Sequence, residues 1–391
     1  MKIGIIGGSA AGLYSAIFIK KAYPDFSVTL IEKNDRLGKK LSTTGNGHCN
    51  LLNNNLSSYF YFDNHLVDNI LDKYPYSYLE KSLNSLGITL FSNGNLVYPL
   101  SFHAPSYVAH LQKIACSLGV DIRLSTKVQG YEAGEKITID FGDKKEDFDK
   151  LIIATGGSSQ GNLGSDGSFY EELKRHGYKI NELLPGLCPI KTKEKLKSLS
   201  GLRHRAGIRV FSSGRLVYGE TGEILFKDDG LSGIAIMNAS SYIAHLKDRN
   251  NVEIHVDLFP SFEELSFRNA LLSAFEKEPI FFLDGVLQKP LKDYVLYYCK
   301  LNKKARLDIH DIMTLSRTLK HLTFHYEANY PFDSSQVTIG GLSIDEVDYH
   351  LLSKKEKNVY FVGEVLDVDG ICGGYNLSFA LMSALEVASN I

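Results

Sequence analysis

Two carboxylates in this sequence stand where each could bind the sugar of a nucleotide cofactor, and Glu32 is the first. It follows the apolar run Val28–Ile31 and lies twenty residues after Gly12, which ends a glycine turn that begins at Gly7. A strand, a glycine turn, a helix and a second strand that ends in an acid form the βαβ unit of dinucleotide-binding proteins. In that unit the acid accepts a hydrogen bond from a ribose hydroxyl, and the pyrophosphate lies at the helix N-terminus.

Each position of the glycine turn has a physical role in such a unit. Gly7 permits the sharp turn out of the first strand, and Gly12 lets the helix pack closely against that strand. The third position, where the backbone approaches the pyrophosphate, is Ser9 rather than glycine. We therefore expect a weakened approach of the phosphate, and an ordinary βα turn is the alternative interpretation.

Glu364 is the second carboxylate of this kind. It follows the strand Asn358–Val362 and Gly363, and Asp369 and the helix start at Gly374–Asn376 come after it. A strand, an acid and a glycine-led helix N-terminus thus occur at both ends of the chain, which predicts one long ligand held by both. This favours FAD over NAD, because the second element can hold the ribityl chain and direct a helix N-terminus at the flavin ring.

Two further segments could approach the same ligand. Lys39 and Lys40 precede the loop Leu41–Asn50, which is rich in glycine, asparagine and threonine, and the lysines could neutralise a phosphate. A solvated turn is the alternative for this loop. The apolar run Leu151–Ile153 opens into Ala154–Gly157, and the carboxyl end of a strand is where an α/β sheet presents its ligands.

The composition limits the classes of function. The chain has 391 residues, of which 44% are hydrophobic and 23% charged, as in globular proteins with large cores. Its net charge of −2 gives no global attraction to nucleic acid or to an anionic membrane. The five scattered cysteines predict a reducing, cytoplasmic location. We expect neither a membrane span nor a metal site.

The order of the elements predicts an α/β fold in which one domain is interrupted by another. Amphipathic helices are expected at Leu13–Tyr23, within Leu66–Leu86 and at Val108–Leu118, and a β-meander from Val120 to Phe148. The character of the chain changes near Pro185–Pro189. We therefore expect an FAD-binding domain formed by residues 1–186 and 336–391, and an inserted domain formed by residues 187–335.

The inserted segment begins with a strongly basic stretch. Between Lys191 and Arg215 it holds eight lysines and arginines against one acid, Glu194. This stretch could bind an anionic substrate or the phosphate of a nicotinamide cofactor. A solvated face of β-structure is the alternative.

Several of these segments together resemble the bacterial aminoacetone-oxidase family of FAD flavoproteins, which is related to bile-acid-reductase-like flavoenzymes. The resemblance extends over nearly the whole chain and is carried by the glycine turn, Lys40–Asn50, Ala154–Gly157, Gly230–Gly233, Val337–Gly341 and Gly363–Asn376. It implies a glutathione-reductase-type Rossmann FAD domain with a β-meander. It also implies that the inserted domain combines a small β-barrel with a helical part.

The resemblance further implies which residues surround FAD, with the backbone at Val128, on the meander, contacting the adenine. The other residues implied are Ser9, Ala10, Ala11, Gly12, Glu32, Lys33, Lys40, Gly45, Asn46, Asn50, Ala154, Thr155, Gly156, Glu364, Asp369, Gly374, Tyr375 and Asn376. Two positions depart from the family pattern. Ser9 replaces a glycine, and His48 replaces an arginine, which would make any role of that side chain pH-dependent.

The sequence predicts an FAD-dependent oxidoreductase. It would transfer a hydride between NADH, NADPH or a small organic donor and an organic acceptor or oxygen. No acid or base is identified by spacing, but His48 is a candidate by its loop position, and shielding of the flavin is its alternative role. Cys49 and Cys372 could form a redox pair or remain structural thiols. The substrate and the oligomeric state stay open.

Two other classes of function compete with this prediction. A flavin-binding redox sensor without turnover would also lack a recognisable catalytic constellation. An RNA-modifying flavoenzyme could use the basic stretch, but that stretch lacks interleaved aromatic residues apart from Phe211, which argues against a nucleic-acid partner.

Overall fold

The computed structural model describes residues 1–62, 65–277, 281–302 and 307–391. They form two compact units. The first consists of Met1–Pro185 and Ser335–Ile391, and the second of Gly186–Ser334. Each unit has its own buried hydrophobic core.

The first unit begins with the predicted strand, helix and strand, which are β1 (Lys2–Ile6), α1 (Ala10–Ala22) and β2 (Ser27–Ile31). Their apolar residues are buried on both faces of a parallel sheet, as near-continuous hydrophobic runs require. The following elements are β3 (Leu52–Asn53), α2 (His65–Lys73), α3 (Tyr76–Asn84), β4 (Leu90–Asn93), β5 (Leu96–Pro99), α4 (Ala104–Ser117), β6 (Asp121–Arg123), β7 (Gly130–Ala133), β8 (Ile137–Asp140), β9 (Lys145–Phe148), β10 (Lys150–Ile153), α5 (Phe169–Arg175) and β11 (Ile180–Gly186).

The second unit contains a closed barrel with strand order β12-β15-β14-β13-β16-β17 and a group of helices. Its elements in chain order are β12 (Ile190–Thr192), β13 (Arg203–Ser212), β14 (Arg215–Lys227), β15 (Gly230–Ser232), α6 (Ile234–Ala244), β16 (Val252–Asp257), α7 (Glu264–Lys277), α8 (Phe281–Asp284), α9 (Lys289–Tyr298), α10 (Ile309–Lys320) and β17 (Leu322–Asn329). The predicted insertion of a barrel with helices is therefore confirmed.

The chain then returns to the first unit with β18 (Val337–Leu342), β19 (Val359–Phe361) and α11 (Tyr375–Asn390). The main sheet has the order β19-β10-β1-β2-β6. Neighbouring strands in it run parallel. The carboxyl ends of β1, β2, β10 and β19 therefore lie at one edge, where the sequence predicted the ligand. Helix α11 packs against α1 at the same sheet.

One prediction about strands was wrong in detail. The segment Val120–Leu124 was predicted as the start of the meander, but β6 pairs with β2 in the parallel sheet, and the meander is β7-β8-β9. Alternating hydrophobicity identifies a strand without identifying its partner. Gly230–Ser232 forms a short strand that pairs with β14, and α6 begins after it at Ile234.

None of the helices in the described ranges combines the length and the apolar character that a membrane crossing needs.

Candidate functional site

A cleft opens at the carboxyl ends of β1, β2 and β10. Six residues that the sequence analysis assigned to the cofactor line it, namely Gly7, Glu32, Lys33, Val128, Thr155 and Gly156. Val128 lies in the loop between β6 and β7, before the meander rather than on it. The structure therefore brings together residues from four separate segments of the chain at the place where a dinucleotide-binding sheet holds its ligand.

The glycine turn has the geometry that its sequence predicted. Gly7 has a φ of 109°, and a Cβ atom there would lie 2.2 Å from the carbonyl oxygen of Ala154. A Cβ on Gly12 would lie 1.9 Å from the carbonyl oxygen of Gly7. Both positions therefore exclude any larger residue.

Ser9 fits this turn without strain. It is the N-cap of α1, with φ −97° and ψ −155°, which is an extended conformation open to any residue. Its side chain makes no capping hydrogen bond. The first helical turn behind it is buried, with Ala10 and Ala11 at 6% and 9% exposure. The serine at this position therefore introduces no backbone strain into the turn.

The Glu32 carboxylate is fixed by the protein backbone. Its Oε2 accepts a hydrogen bond from the Gly8 N–H at 2.8 Å. Its Oε1 accepts from the Asn34 N–H at 2.8 Å and from the Asn34 side-chain amide at 2.7 Å. A carboxylate has about four acceptor positions, so the buried Glu32 retains capacity for one more donor on the cleft side.

Lys33 faces a partner that the sequence analysis did not include. Its Nζ lies 2.8 Å from Oδ1 of Asp166. Burial raises the pKa of Asp166, but the hydrogen bonds from Lys33 and Ser168 outweigh it and hold that pKa below its ordinary value. Asp166 also lines the cleft. The Ser165–Gly167 turn was the only local signal that could have identified it.

A second cluster joins the two ends of the first unit. The Nζ of Lys40 lies 3.1 Å and 2.7 Å from the two carboxylate oxygens of Glu364. Oε1 of Glu364 also accepts the Thr338 N–H at 2.8 Å. Tyr170, which lines the cleft, donates its hydroxyl hydrogen to the Glu364 and Val365 carbonyls, each at 3.3 Å. Tyr170 therefore connects the cleft with the segment that follows β19.

The same segment touches the start of α1 directly. Gly363 has a φ of 70°, and a Cβ atom there would lie 2.7 Å from the Cβ of Ala11. Asp369, further along, is buried at 2% exposure. Because Gly363 admits no side chain, the segment that carries Glu364 can lie close to the N-terminus of α1, which the phosphates would approach.

The N-terminus of α11 is hydrogen-bonded to the loop that follows β2. With its amide oriented to satisfy its neighbours, Asn50 donates to the Leu52 carbonyl and accepts from the Gly374 N–H at 3.3 Å. Asn376 bonds with its side chain to both the N–H and the carbonyl of Gly370. Tyr375 is buried, and burial raises its pKa to about 12. These side chains thus have structural partners, and the backbone of this turn is what can face a ligand.

The loop Leu41–Asn50, which carries Gly45, Asn46 and His48, is strongly bent. Gly45 and Asn46 have φ values of 57° and 54°. His48 is exposed, and its Nδ1 lies 3.0 Å from the carbonyl oxygen of Phe102. His48 is not among the residues that line the cleft.

Cys49 has the character of a structural thiol. It is fully buried, and burial raises its pKa to about 12, so it stays protonated at neutral pH. Neither Cys49 nor Cys372 forms a disulfide in the described part of the chain, and Cys372 is partly exposed. This favours the structural interpretation of Cys49 over the redox pair.

The cleft fits the ribose and phosphate portion of FAD. The hydroxyl oxygen of Thr155 is buried there and has no hydrogen-bond partner among the residues that the structure describes. A buried hydroxyl without a partner is costly, and a ligand that offers a hydrogen bond would remove that cost. The side-chain-free faces of Gly7 and Gly156 leave room beside it.

Comparison with known proteins gives matches over nearly the full length. The protein family described as HI0933-like protein Rossmann domain matches residues 1–390. The 3-dehydro-bile acid delta(4,6)-reductase of Clostridium scindens is 31% identical over 392 residues, which cover 97% of this chain and 96% of that protein. The ribosomal RNA dihydrouridine synthase of Escherichia coli is 26% identical over 400 residues, which cover 99% and 97%.

A solved structure supports the same fold. The 3-ketosteroid delta1-dehydrogenase from Sterolibacterium denitrificans, in complex with 1,4-androstadiene-3,17-dione, has a TM-score of 0.52 and 12% identity. The match covers 99% of this chain and 98% of that chain. Together with the family match, it confirms the predicted Rossmann-type FAD-binding fold. The relatives also confirm the predicted class of enzyme, an oxidoreductase, and the relation to a bile-acid reductase.

Proposed function

This chain belongs to the HI0933-like family of Rossmann-domain proteins, and from that premise we propose that it reduces a carbon–carbon double bond conjugated to a carbonyl group, using bound FAD. The names of two relatives support this reaction class. The name of the 3-dehydro-bile acid delta(4,6)-reductase describes the reduction of double bonds that are conjugated to a keto group. A dihydrouridine synthase saturates the double bond beside a carbonyl of uridine. Two different substrates thus undergo one kind of reduction.

The observation that carries the proposal is the cluster formed by Lys40, Glu364 and the Thr338 N–H, at the 2.7–3.1 Å distances given above. It joins the loop that follows Glu32 to the segment that follows β19. In this proposal a single extended cofactor runs from the cleft, which Glu32 and Thr155 line, to the turn at Gly374.

Specific residues would hold the cofactor. Glu32 would accept a hydrogen bond from the adenosine ribose, the N-terminus of α1 would bind the pyrophosphate, and Glu364 would bind the ribityl chain. The turn at Gly374 would direct the N-terminus of α11 at the flavin ring. FAD supplies the two-electron hydride transfer when it is bound. The chain positions it and excludes water around it.

The electron donor in this proposal is NADH or NADPH. We would purify the protein, record its visible flavin spectrum, and add each nucleotide without oxygen. Bleaching of the flavin bands followed by their return on addition of cyclohexenone or testosterone, a steroid enone, would support the proposal. A flavin that is reduced but not reoxidised by any enone would contradict it, and a protein that binds no FAD would contradict the site itself.

The same experiment separates two alternatives. The resemblance to aminoacetone oxidases makes oxygen the competing acceptor, so rapid reoxidation by oxygen with no response to enones would favour an oxidase. A flavin that no donor reduces would favour the redox sensor without turnover.

An RNA-modifying enzyme is the second candidate, and the 26% identical dihydrouridine synthase is the observation that favours it. The basic stretch that would bind RNA is partly neutralised. Arg203 pairs with Glu223 at 2.5 Å, Arg209 lies 3.9 Å from Asp257, and Lys191 lies over the Tyr330 ring. Binding to ribosomal RNA that weakens steeply with salt would support this candidate, whereas no binding would remove it.

A further inference from the structure

The loop that carries His48 has a concentration of unusual backbone conformations. Gly45, Asn46, Gly47 and Cys49 all have positive φ values, between 54° and 86°. Across from this loop, Phe102 has a φ of 48°. This conformation is strained for a bulky aromatic residue, and such strain persists where neighbouring contacts hold it in place, often at functional sites.

The contact that holds Phe102 comes from His48. Its Nδ1 lies 3.0 Å from the Phe102 carbonyl oxygen, and the two rings meet edge to face with centroids 6.1 Å apart. Because a carbonyl oxygen only accepts hydrogen bonds, Nδ1 is the nitrogen that carries hydrogen in the neutral ring. Nε2 is then the nitrogen that carries no hydrogen in the neutral ring. It has no hydrogen-bond partner among the described residues.

An aromatic surface lies beside this nitrogen. The ring of Phe102 stacks with that of Tyr98 at 5.1 Å and contacts that of Phe91 at 5.2 Å. Phe91 is 43% exposed. Tyr98 is the other titratable group of this surface, and burial raises its pKa, so it stays protonated. The surface offers apolar area to a flat ring system next to a group that can donate a proton.

The segments that carry this surface are hydrogen-bonded to the turn where the flavin ring is proposed to lie. Asn50, two residues after His48, accepts the Gly374 N–H. Asn53 donates from its side-chain amide to the Gly373 carbonyl at 2.9 Å. Leu51 donates from its N–H to Val97, the residue before Tyr98, at 2.8 Å. The His48 loop and the N-terminus of α11 are therefore held together by short, direct contacts.

We propose that His48 is the proton donor of the reduction and that Phe91, Tyr98 and Phe102 form the surface on which the substrate rings lie. The proposal rests on the proposed function. One hydride, which originates in NADH or NADPH, forms the new C–H bond at the carbon remote from the carbonyl. The Nε2–H of His48 gives its proton to the carbon next to the carbonyl, the double bond is lost, and His48 regains a proton from water.

The decisive variant is His48→Asn. An asparagine amide occupies the position of Nδ1 and can still donate to the Phe102 carbonyl, but it has no group at the position of Nε2. We expect the reduction of the flavin by NADH or NADPH to stay within about twofold of the unchanged protein. Reoxidation by cyclohexenone or testosterone should slow by at least roughly 100-fold, the usual contribution of a general acid. Added imidazole should restore part of the rate in His48→Ala.

The matched control is His103→Asn. His103 is a neighbouring histidine that caps α4, and asparagine is an equally good capping residue, so both half-reactions should be unchanged. A readout that needs no turnover is the nitrogen NMR spectrum of labelled histidine, in which neutral His48 should show the hydrogen on Nδ1. The opposite tautomer would overturn the proposed role of Nε2.

The outcomes separate this inference from the function on which it rests. If His48→Asn reoxidises with the enones as fast as the unchanged protein, His48 is not the proton donor although the enzyme is an enone reductase. If the unchanged protein is reduced by a nucleotide and no enone reoxidises it, the proposed function fails and this inference fails with it.

Discussion

The amine of Lys40 lies 2.7 Å from a carboxylate oxygen of Glu364, although 324 residues separate them in the sequence. Both side chains are largely buried, at 17% and 24% exposure. A buried pair of this kind is costly to break, because the remaining charge keeps its desolvation without its partner. The pair therefore fixes the two ends of the FAD-binding unit relative to each other before any cofactor binds.

Glu364→Gln tests this arrangement. Glutamine can still accept the Thr338 N–H through its amide oxygen, but the ion pair with Lys40 is lost. We expect the free energy of unfolding to fall by about 1.5–3 kcal/mol, the usual value of a hydrogen bond to a charged group. The FAD content of the purified protein should fall as well. Chemical denaturation and the ratio of flavin to protein absorbance measure the two effects.

Glu132→Gln is the matched control for that variant. Glu132 also accepts from a lysine, Lys145, at 2.7 Å, but these side chains are 75% and 53% exposed. Solvent screening makes such an exposed pair contribute little to stability. Equal losses of stability in both variants would show that the burial of the Lys40–Glu364 pair has no special importance.

The glycine turn supplies the second prediction. In Gly12→Ala the new methyl group would lie 1.9 Å from the Gly7 carbonyl oxygen, so α1 must move away from β1. We expect a loss of about 1–3 kcal/mol in the free energy of unfolding, typical of overpacking. Ser9→Gly should change it by less than about 1 kcal/mol, because Ser9 has an unstrained φ and no capping bond. Thermal unfolding compares the two, and a Gly12→Ala protein as stable as Ser9→Gly would contradict the steric argument.

A feature could be predicted from the sequence when the residues that determine it lie close together in the chain. The turn from Gly7 to Gly12 and the acid at Glu32 depend on spacing within one βαβ unit, so local pattern was sufficient. The pairing of Lys40 with Glu364 depends on the complete fold, and the sequence analysis assigned both residues to FAD without pairing them with each other. Asp166 was missed for a similar reason, since its partner Lys33 lies in another segment.

Strand partners and loop geometry had the same limitation. The alternation in Val120–Leu124 identified a strand but not that it joins β2 in the parallel sheet. The position of His48 in a glycine-rich loop suggested a role, but only the structure shows that its Nδ1 is used by Phe102. Which nitrogen of a histidine is available is decided by its neighbours in space.

The third prediction concerns pH. His176 lies 2.6 Å from Glu356 and 3.5 Å from Glu172, stacks on Tyr131, and shares Glu172 with Arg175. The hydrogen bond to Glu356 raises the pKa of His176 above 6.5. Burial raises the pKa of Glu356, but hydrogen bonds from His176, Tyr131 and Tyr178 outweigh it and hold that pKa below 4.5.

The directions of the two pKa shifts define the pH range in which His176 and Glu356 stabilise the fold. Because the pKa of His176 is raised in the folded protein, protonated His176 stabilises the fold fully below pH 6.5. This stabilisation is lost as the pH rises through the folded-state pKa of His176. Because the pKa of Glu356 is lowered in the folded protein, its ionised carboxylate stabilises the fold above pH 4.5. This stabilisation is lost as the pH falls through the folded-state pKa of Glu356. His176→Asn should therefore cost about 1–2 kcal/mol more at about pH 5.5 than at about pH 9. Denaturation curves at both values test this, and a cost independent of pH would mean that only the stacking on Tyr131 matters.

The last prediction uses the unpaired hydroxyl of Thr155. Valine has nearly the same shape as threonine, so Thr155→Val removes a buried oxygen that has no partner in the described protein without leaving a cavity. The FAD-free protein should be as stable as before or more stable, because a buried unpaired hydroxyl costs roughly 1–3 kcal/mol. FAD affinity should fall about 5- to 10-fold if a cofactor oxygen or hydroxyl is the missing partner.

Thr29→Val gives the opposite pattern and serves as the control. The hydroxyl of Thr29 already donates to Asp121 at 3.3 Å and is not among the residues that line the cleft, so its removal should lower stability and leave FAD affinity unchanged. Calorimetric unfolding of the FAD-free proteins and fluorescence titration with FAD measure both quantities. If Thr155→Val loses stability and keeps its affinity for FAD, the hydroxyl serves the protein interior, and the cofactor does not run past it through the cleft.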